Sequence, residues 1–120
     1  MKIIIPSEGD KLESNISQFF GRCPYFIVVE IEDGKIIGSK AFENPAINQM
    51  GGAGIAAAQF ATEQNAEVLI CMSVGPNASS VLSQLELKMF KAIDGTVQEN
   101  AEKFLVNELE ELTSPGPRMK

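Results

Sequence analysis

The 120-residue chain is large enough for one domain of ordinary size, and it is too small for two domains that would each bury a sufficient core. Its formal net charge of −6 disfavours nucleic acid as a partner, and the absence of histidine excludes Ser-His-Asp and Cys-His catalysis and every histidine-ligated metal site. The sequence has no run of about 18 apolar residues and no signal-peptide pattern, so we expect no contact with a membrane and a cytoplasmic location.

The first half of the chain is predicted to form three strands, at residues 2–5, 25–31 and 35–43. We expect Pro6 to end the first strand, because proline has no amide hydrogen for a sheet. The dipeptide Asp33-Gly34 is a strong hairpin signal between the second and third strands, which should therefore be antiparallel. Asn44-Pro45 then breaks the third strand.

The second half is predicted to alternate between helix and strand. Its elements are a helix over 55–64, a strand over 67–71, a helix opened by 75–77, a strand over 87–90 and a helix capped by Thr96. Thr96 and Glu99 have the spacing of a capping box. Because such alternation favours parallel strands joined by crossovers, we predict an α/β fold with a mixed five-stranded sheet in the order 3-2-1-4-5 and three helices. Residues 1–112 should form the domain, and residues 113–120 a flexible tail.

The chain has two cysteines, too few for a disulfide framework or a four-cysteine zinc site. Cys71 ends an apolar strand and is assigned to the core. Cys23 follows Arg22 in a loop, where we expect it to be exposed, and the guanidinium should lower its pKa and favour the thiolate. Cys23 is therefore the candidate metal ligand. A bystander role for Cys23 and a surface ion-pair role for Arg22 remain alternatives.

Five short segments resemble the dinitrogenase iron–molybdenum cofactor biosynthesis family. They are Ile3-Ile4-Ile5-Pro6-Ser7, Phe20-Gly21-Arg22-Cys23-Pro24-Tyr25-Phe26, Gly51-Gly52-Ala53-Gly54, Val74-Gly75-Pro76-Asn77-Ala78 and Gly95-Thr96-Val97. The family includes the carriers NifX and NafY, the C-terminal domain of NifB, and the orange protein, which holds a molybdenum–copper sulfide cluster. The resemblance covers about residues 1–110.

The resemblance implies a ribonuclease-H-like topology and the binding of a preformed metal–sulfur cluster, of molybdenum with iron or copper, in an anaerobe. The partners that it implies are proteins that donate and accept the cluster, and it implies a carrier rather than an enzyme. Relatives often carry histidine just before the Phe-Gly-Arg segment, where this chain has Phe19, so a histidine ligand is absent there.

The third and fourth of these segments, at residues 51–54 and 74–78, precede predicted helices. Both segments should lie at the edge of the sheet that contains the carboxyl ends of the parallel strands. The candidate cofactor-binding residues are Arg22, Cys23, Gly51, Gly52, Gly54, Gly75, Pro76 and Asn77. Helix N-termini offer unpaired amide hydrogens and a partial positive charge, and glycine lets the backbone approach a bulky ligand closely. We therefore expect an anionic cluster to bind in a crevice at this edge.

Three other functions are considered. A nuclease needs carboxylates that converge on metal ions, and the centre of the first strand has none. Residues 52–57 match G-x-G-x-x-A, but residues 44–51 separate this motif from the preceding strand, which disfavours a dinucleotide enzyme. The main alternative to the carrier is a metal-free adaptor that binds a protein partner or a small anion through the same glycine loops.

Overall fold

The computed structural model of the protein describes residues 1–18, 20–45, 53–72 and 76–112, without the side chains of residues 53, 54 and 76–79. In chain order, the elements are β1 (Lys2–Ser7), β2 (Tyr25–Glu32), β3 (Lys35–Glu43), α1 (Ala53–Glu63), β4 (Val68–Cys71), α2 (Pro76–Gln84), β5 (Lys88–Lys91) and α3 (Val97–Leu105). No helix within these ranges is long and apolar enough to cross a membrane.

The strands of the described residues form one mixed five-stranded sheet in the order β3-β2-β1-β4-β5. β2 is antiparallel to both β1 and β3, whereas β4 is parallel to both β1 and β5. The predicted fold class and strand order are therefore confirmed. The β2–β3 turn also follows the prediction: Asp33 and Gly34 have φ angles of 54° and 75°, as a tight hairpin turn requires at both positions.

The expectation that Pro6 ends β1 is wrong, since the strand continues to Ser7 and Pro6 pairs with Phe26. The carbonyl oxygen of Pro6 accepts a hydrogen bond from the Ser17 amide at 3.0 Å. In a strand, the amide and carbonyl of one residue point to the same side. The missing amide hydrogen of Pro6 therefore belongs to the Ser17 side, and the β1–β2 ladder loses no bond to the proline.

Alternation along the strands divides the core into two layers. On one face, α1 and α2 cover Ile4, Phe26, Val28 and Leu69. On the other face, α3 covers Ile3, Ile5, Val29 and Ile70. The small side chains of Ala57, Ala58 and Ala61 line the buried side of α1, so this helix can lie close to the sheet.

Several other element boundaries differ from the sequence prediction by one or two residues, and two of these differences bear on the site or on the sheet edge. α1 begins at Ala53 rather than Ile55, so Gly54 lies in its first turn. The low helix propensity of glycine favoured a loop in the prediction. Glycine is nevertheless tolerated at the start of a helix. β5 extends to Lys91, whose amide donates to the Glu110 carbonyl at 2.7 Å. Residues 110–112 thus cover the outer edge of β5, a long-range contact that local sequence does not reveal.

Candidate functional site

One edge of the sheet collects the ends of several elements. Ser7, the last residue of β1, pairs with Tyr25, and Tyr25 pairs with Glu43 at the end of β3. β4 runs parallel to β1 and ends at Cys71 near the same edge. We call this the carboxyl edge, and it is where ligands bind in open α/β sheets.

α1 and α2 both begin at the carboxyl edge. After α1, the chain enters β4 at the opposite edge, where the Glu67 amide donates to the Lys2 carbonyl at 2.9 Å. After α2 it enters β5, where the Lys88 amide donates to the Glu67 carbonyl at 3.2 Å. The C-terminal ends of both helices therefore lie opposite the carboxyl edge. Both N-termini point to the carboxyl edge on the same face of the sheet.

The three helix N-termini differ in charge. The first turns of α1 and α2 contain no acidic residue. In α3, by contrast, the Thr96 side chain caps the helix and the Glu99 carboxylate accepts a hydrogen bond from the Thr96 amide, which confirms the predicted capping box. The positive end of α3 is therefore partly neutralised, whereas α1 and α2 have no carboxylate in the first turn to compete with an external anion.

The two sides of the carboxyl edge also differ. On the α3 side, an open cleft of about 520 Å³ is lined by Glu8, Asn15, Ile16, Gln18, Asp94 and Gly95. Its two carboxylates make it a poor place for an anion. The α1–α2 side is therefore the better candidate for an anion site.

The residues predicted from sequence fall into two groups. Gly54, Pro76 and Asn77 lie in the first turns of α1 and α2, and Pro76 takes the first helical position as predicted. Arg22 is exposed in the loop that enters β2. Gly51, Gly52 and Gly75 lie outside the described residues, as does Phe19, and their predicted roles stay predictions.

Cys23 differs from its prediction in both exposure and pKa. It is fully buried, and burial raises the pKa of its thiol from 9.0 to about 12. The nearby Glu8 carboxylate raises the pKa further, and hydrogen bonds from the Ser7 backbone and the Asn44 side chain oppose this only in part. The expectation of an exposed thiolate stabilised by Arg22 is therefore wrong: desolvation dominates, and the thiol is protonated at neutral pH.

The Cys23 thiol has partners of its own. Its Sγ donates to the Phe20 carbonyl at 3.4 Å and lies 3.9 Å from Nδ2 of Asn44. Cys71 is also fully buried, as predicted for a core residue, and burial raises its pKa to about 12. Both thiols belong to the hydrophobic layer beneath α1 and α2.

Sequence reasoning missed Asn44, which it interpreted only as a strand breaker. The side chain of Asn44 is 2% exposed, and its Nδ2 donates to the carbonyl oxygens of Gly21 at 3.1 Å and Cys23 at 2.8 Å. The Asn44 amide also donates to the Pro24 carbonyl at 3.0 Å. An asparagine before proline is a common turn signal, so nothing local distinguishes a buried one.

The side chains that could coordinate a metal indicate which kind of cluster fits this edge. Within the described parts of the chain, no group of three or more Cys, Asp or Glu side chains is placed to hold a metal ion. Both cysteines are buried and protonated, so neither is prepared as a thiolate ligand. Among the described residues, the donor groups therefore favour an anion whose metals already carry their own ligands over bare metal ions that need protein ligands.

Comparisons with known proteins agree with the observed fold. The profile of the family described as dinitrogenase iron–molybdenum cofactor matches residues 1–107. An uncharacterized protein from Methanocaldococcus jannaschii is 36% identical over 110 residues, which cover 92% of this chain and 90% of that protein. The apo form of the orange protein from Desulfovibrio gigas has a TM-score of 0.87 at 28% identity, covering 97% of this chain and 96% of its own. A NifB-like protein from Thermotoga has a TM-score of 0.77 at 32% identity, covering 96% and 98%.

Proposed function

The chain belongs to the dinitrogenase iron–molybdenum cofactor family, as its five sequence segments predicted, and we propose that it carries a preformed anionic metal–sulfur cluster at the carboxyl edge. The family is one of cofactor-binding and cofactor-biosynthesis proteins rather than a catalytic family. The cargo that we propose is a sulfide cluster of molybdenum with iron or copper.

One observation carries the proposal: the N-termini of α1 and α2 point to the same edge on the same face, and neither has an acidic residue in its first turn. Each helix end is equivalent to about half a positive charge and presents unpaired amide hydrogens. Thiomolybdates and related sulfide clusters are anions with hydrogen-bond-accepting sulfur atoms. Arg22 supplies a full positive charge in the loop that ends beside the same edge.

The proposed binding is non-covalent. Deprotonating Cys23 or Cys71 to form a metal–thiolate bond would place a charge in an apolar layer, as their raised pKa values indicate. Hydrogen bonds and partial charges also release a cluster more readily than thiolate ligands do. This suits a protein that receives its cargo from a donor protein and passes it to an acceptor.

The test is uptake of tetrathiomolybdate, with and without Cu(I), under anaerobic conditions. Retained colour and molybdenum after gel filtration measure binding. We expect Arg22→Glu to weaken binding by about tenfold or more, because it replaces the local cation with an anion. Lys35→Glu is the matched control: it makes the same charge change at the hairpin turn, opposite the carboxyl edge, and should change affinity by less than about twofold in 0.15 M salt.

Equal losses in both variants would refute the site and leave only a general effect of net charge. Wild-type protein that binds no thiomolybdate, alone or with copper or iron, would contradict the carrier function. That result would favour the metal-free adaptor.

A further inference from the structure

We propose that Asn44 is a positioning residue that holds Arg22 in place for the anionic cargo, an inference that rests on the proposed function. Asn44 acts on cargo binding through Arg22 and does not contact the cargo itself. The inference comes from its hydrogen bonds on both sides of Arg22.

The carbonyl groups that flank Arg22 are both bound to the same amide group. Nδ2 of Asn44 donates to the Gly21 carbonyl at 3.1 Å and to the Cys23 carbonyl at 2.8 Å. Arg22 lies between these two residues, so the backbone is held at the peptide group just before Arg22 and at the one just after Cys23. An exposed arginine on a free loop would lose rotational freedom on binding, and a fixed backbone reduces that cost.

Asn44 also joins the end of β3 to the segment that contains Arg22. Its own amide donates to the Pro24 carbonyl at 3.0 Å, so the end of β3 is bonded to the segment that enters β2. Asn44 therefore fixes the Arg22 segment to the end of β3 through its backbone amide as well as through its side chain.

Because Asn44 is buried, its side-chain hydrogen bonds should matter more for the local structure than exposed ones would. The side chain is 2% exposed, and the Cys23 thiol lies 3.9 Å from its Nδ2. Removing the side-chain amide would leave the buried Cys23 carbonyl and the partly buried Gly21 carbonyl without this donor. Such a loss disrupts local structure more than the loss of a hydrogen bond on the surface. The segment around Arg22 would then relax.

A second buried asparagine provides the matched control. Asn100 is 0% exposed, and its Nδ2 donates to the carbonyls of Ile93 at 3.1 Å and Thr96 at 2.9 Å. It therefore makes the same kind of clamp, but from within α3, which packs on the other face of the sheet. Truncating Asn100 should cost stability without affecting Arg22.

The experiment is a double-mutant cycle with tetrathiomolybdate alone as the probe. Its affinity is measured by anaerobic equilibrium dialysis for wild type, Asn44→Ala, Arg22→Ala and the double variant, at a temperature where all are folded. If Asn44 acts through Arg22, each single change weakens binding by about tenfold, and adding Asn44→Ala to Arg22→Ala changes affinity by less than about twofold. Asn100→Ala should lower the melting temperature similarly and leave affinity within about twofold of wild type.

Three outcomes would overturn the inference while leaving the proposed function intact. They are an unchanged affinity in Asn44→Ala, independent losses that multiply in the double variant, and an equal loss of affinity in Asn100→Ala. Wild-type protein that binds no tetrathiomolybdate would overturn both.

If Asn44→Ala does not fold, the milder Asn44→Ser variant takes its place in the cycle.

Discussion

At the scale of single residues, Cys23 illustrates how tertiary packing overrides local sequence. Its neighbours Arg22 and Pro24 suggested an exposed loop thiol. In the fold, however, the thiol packs beneath α1 and α2 and donates to the Phe20 carbonyl. Burial raises its pKa to about 12, so proximity in sequence to a guanidinium does not determine its charge. Asn44 escaped prediction for the same reason, since its partners at residues 21–24 are distant in sequence.

We predict that both thiols react slowly with alkylating reagents in the folded protein. At pH 8, iodoacetamide should modify Cys23 and Cys71 roughly 100-fold more slowly in native than in urea-unfolded protein, because the thiolate is the nucleophile and both thiols are buried. Quenched time courses analysed by mass spectrometry measure this for each site. Modification of native Cys23 at the rate of a free thiol would contradict the buried geometry.

The raised pKa values also predict a loss of stability at alkaline pH. Folding favours the protonated thiols, so their contribution is fully present below about pH 9 and is lost as the pH rises from 9.0 toward 12. Urea unfolding at pH 7 to 10.5 should show a decrease in the free energy of unfolding above pH 9. The Cys23→Ser, Cys71→Ser double variant should show a smaller decrease, and an identical decrease would assign the effect to other groups.

At the scale of elements, the features that were predicted correctly from the sequence are those that depend on local signals. The Asp33-Gly34 turn and the Thr96–Glu99 capping box each depend on residues within one or two turns, and both are present as predicted. The continuation of β1 through Pro6 was missed, because it depends on which side of the strand the Ser17 segment lies. The extension of β5 to Lys91 was missed for a similar reason, because it depends on a contact with residues 110–112 that are distant in sequence.

The capping box predicts a measurable contribution to stability. Thr96→Ala removes the hydrogen bond from the Glu99 amide to Oγ1, which is 3.0 Å long, and should lower the free energy of unfolding by about 1 kcal/mol. Thr62→Ala is the matched control. Thr62 is exposed near the end of α1, and its hydroxyl donates back to the Ala58 carbonyl within its own helix, so its loss should cost less than about 0.5 kcal/mol. Urea unfolding compares the two, and equal losses would contradict a specific cap.

At the scale of the whole molecule, the strand order determines where the helices begin and thus where we propose the site. Strand alternation and the crossover pattern were sufficient to predict the order 3-2-1-4-5, and that order brings the N-termini of α1 and α2 to one edge and one face. The sequence could therefore assign Gly54, Pro76 and Asn77 to the region where α1 and α2 begin, and their role in anion binding stays a prediction. It could not show that the Cys23 thiol lies in the apolar layer below, because that requires knowing which side chains cover it.

The measurement that tests the carrier account most directly is the metal and sulfide content of the protein purified anaerobically from its native host. The account predicts molybdenum with iron or copper, together with sulfide, in stoichiometric amounts, with sulfide charge-transfer bands in the visible spectrum. Protein that is colourless and free of metal, and that stays so after exposure to thiomolybdate with iron or copper, would contradict the account and favour the metal-free adaptor.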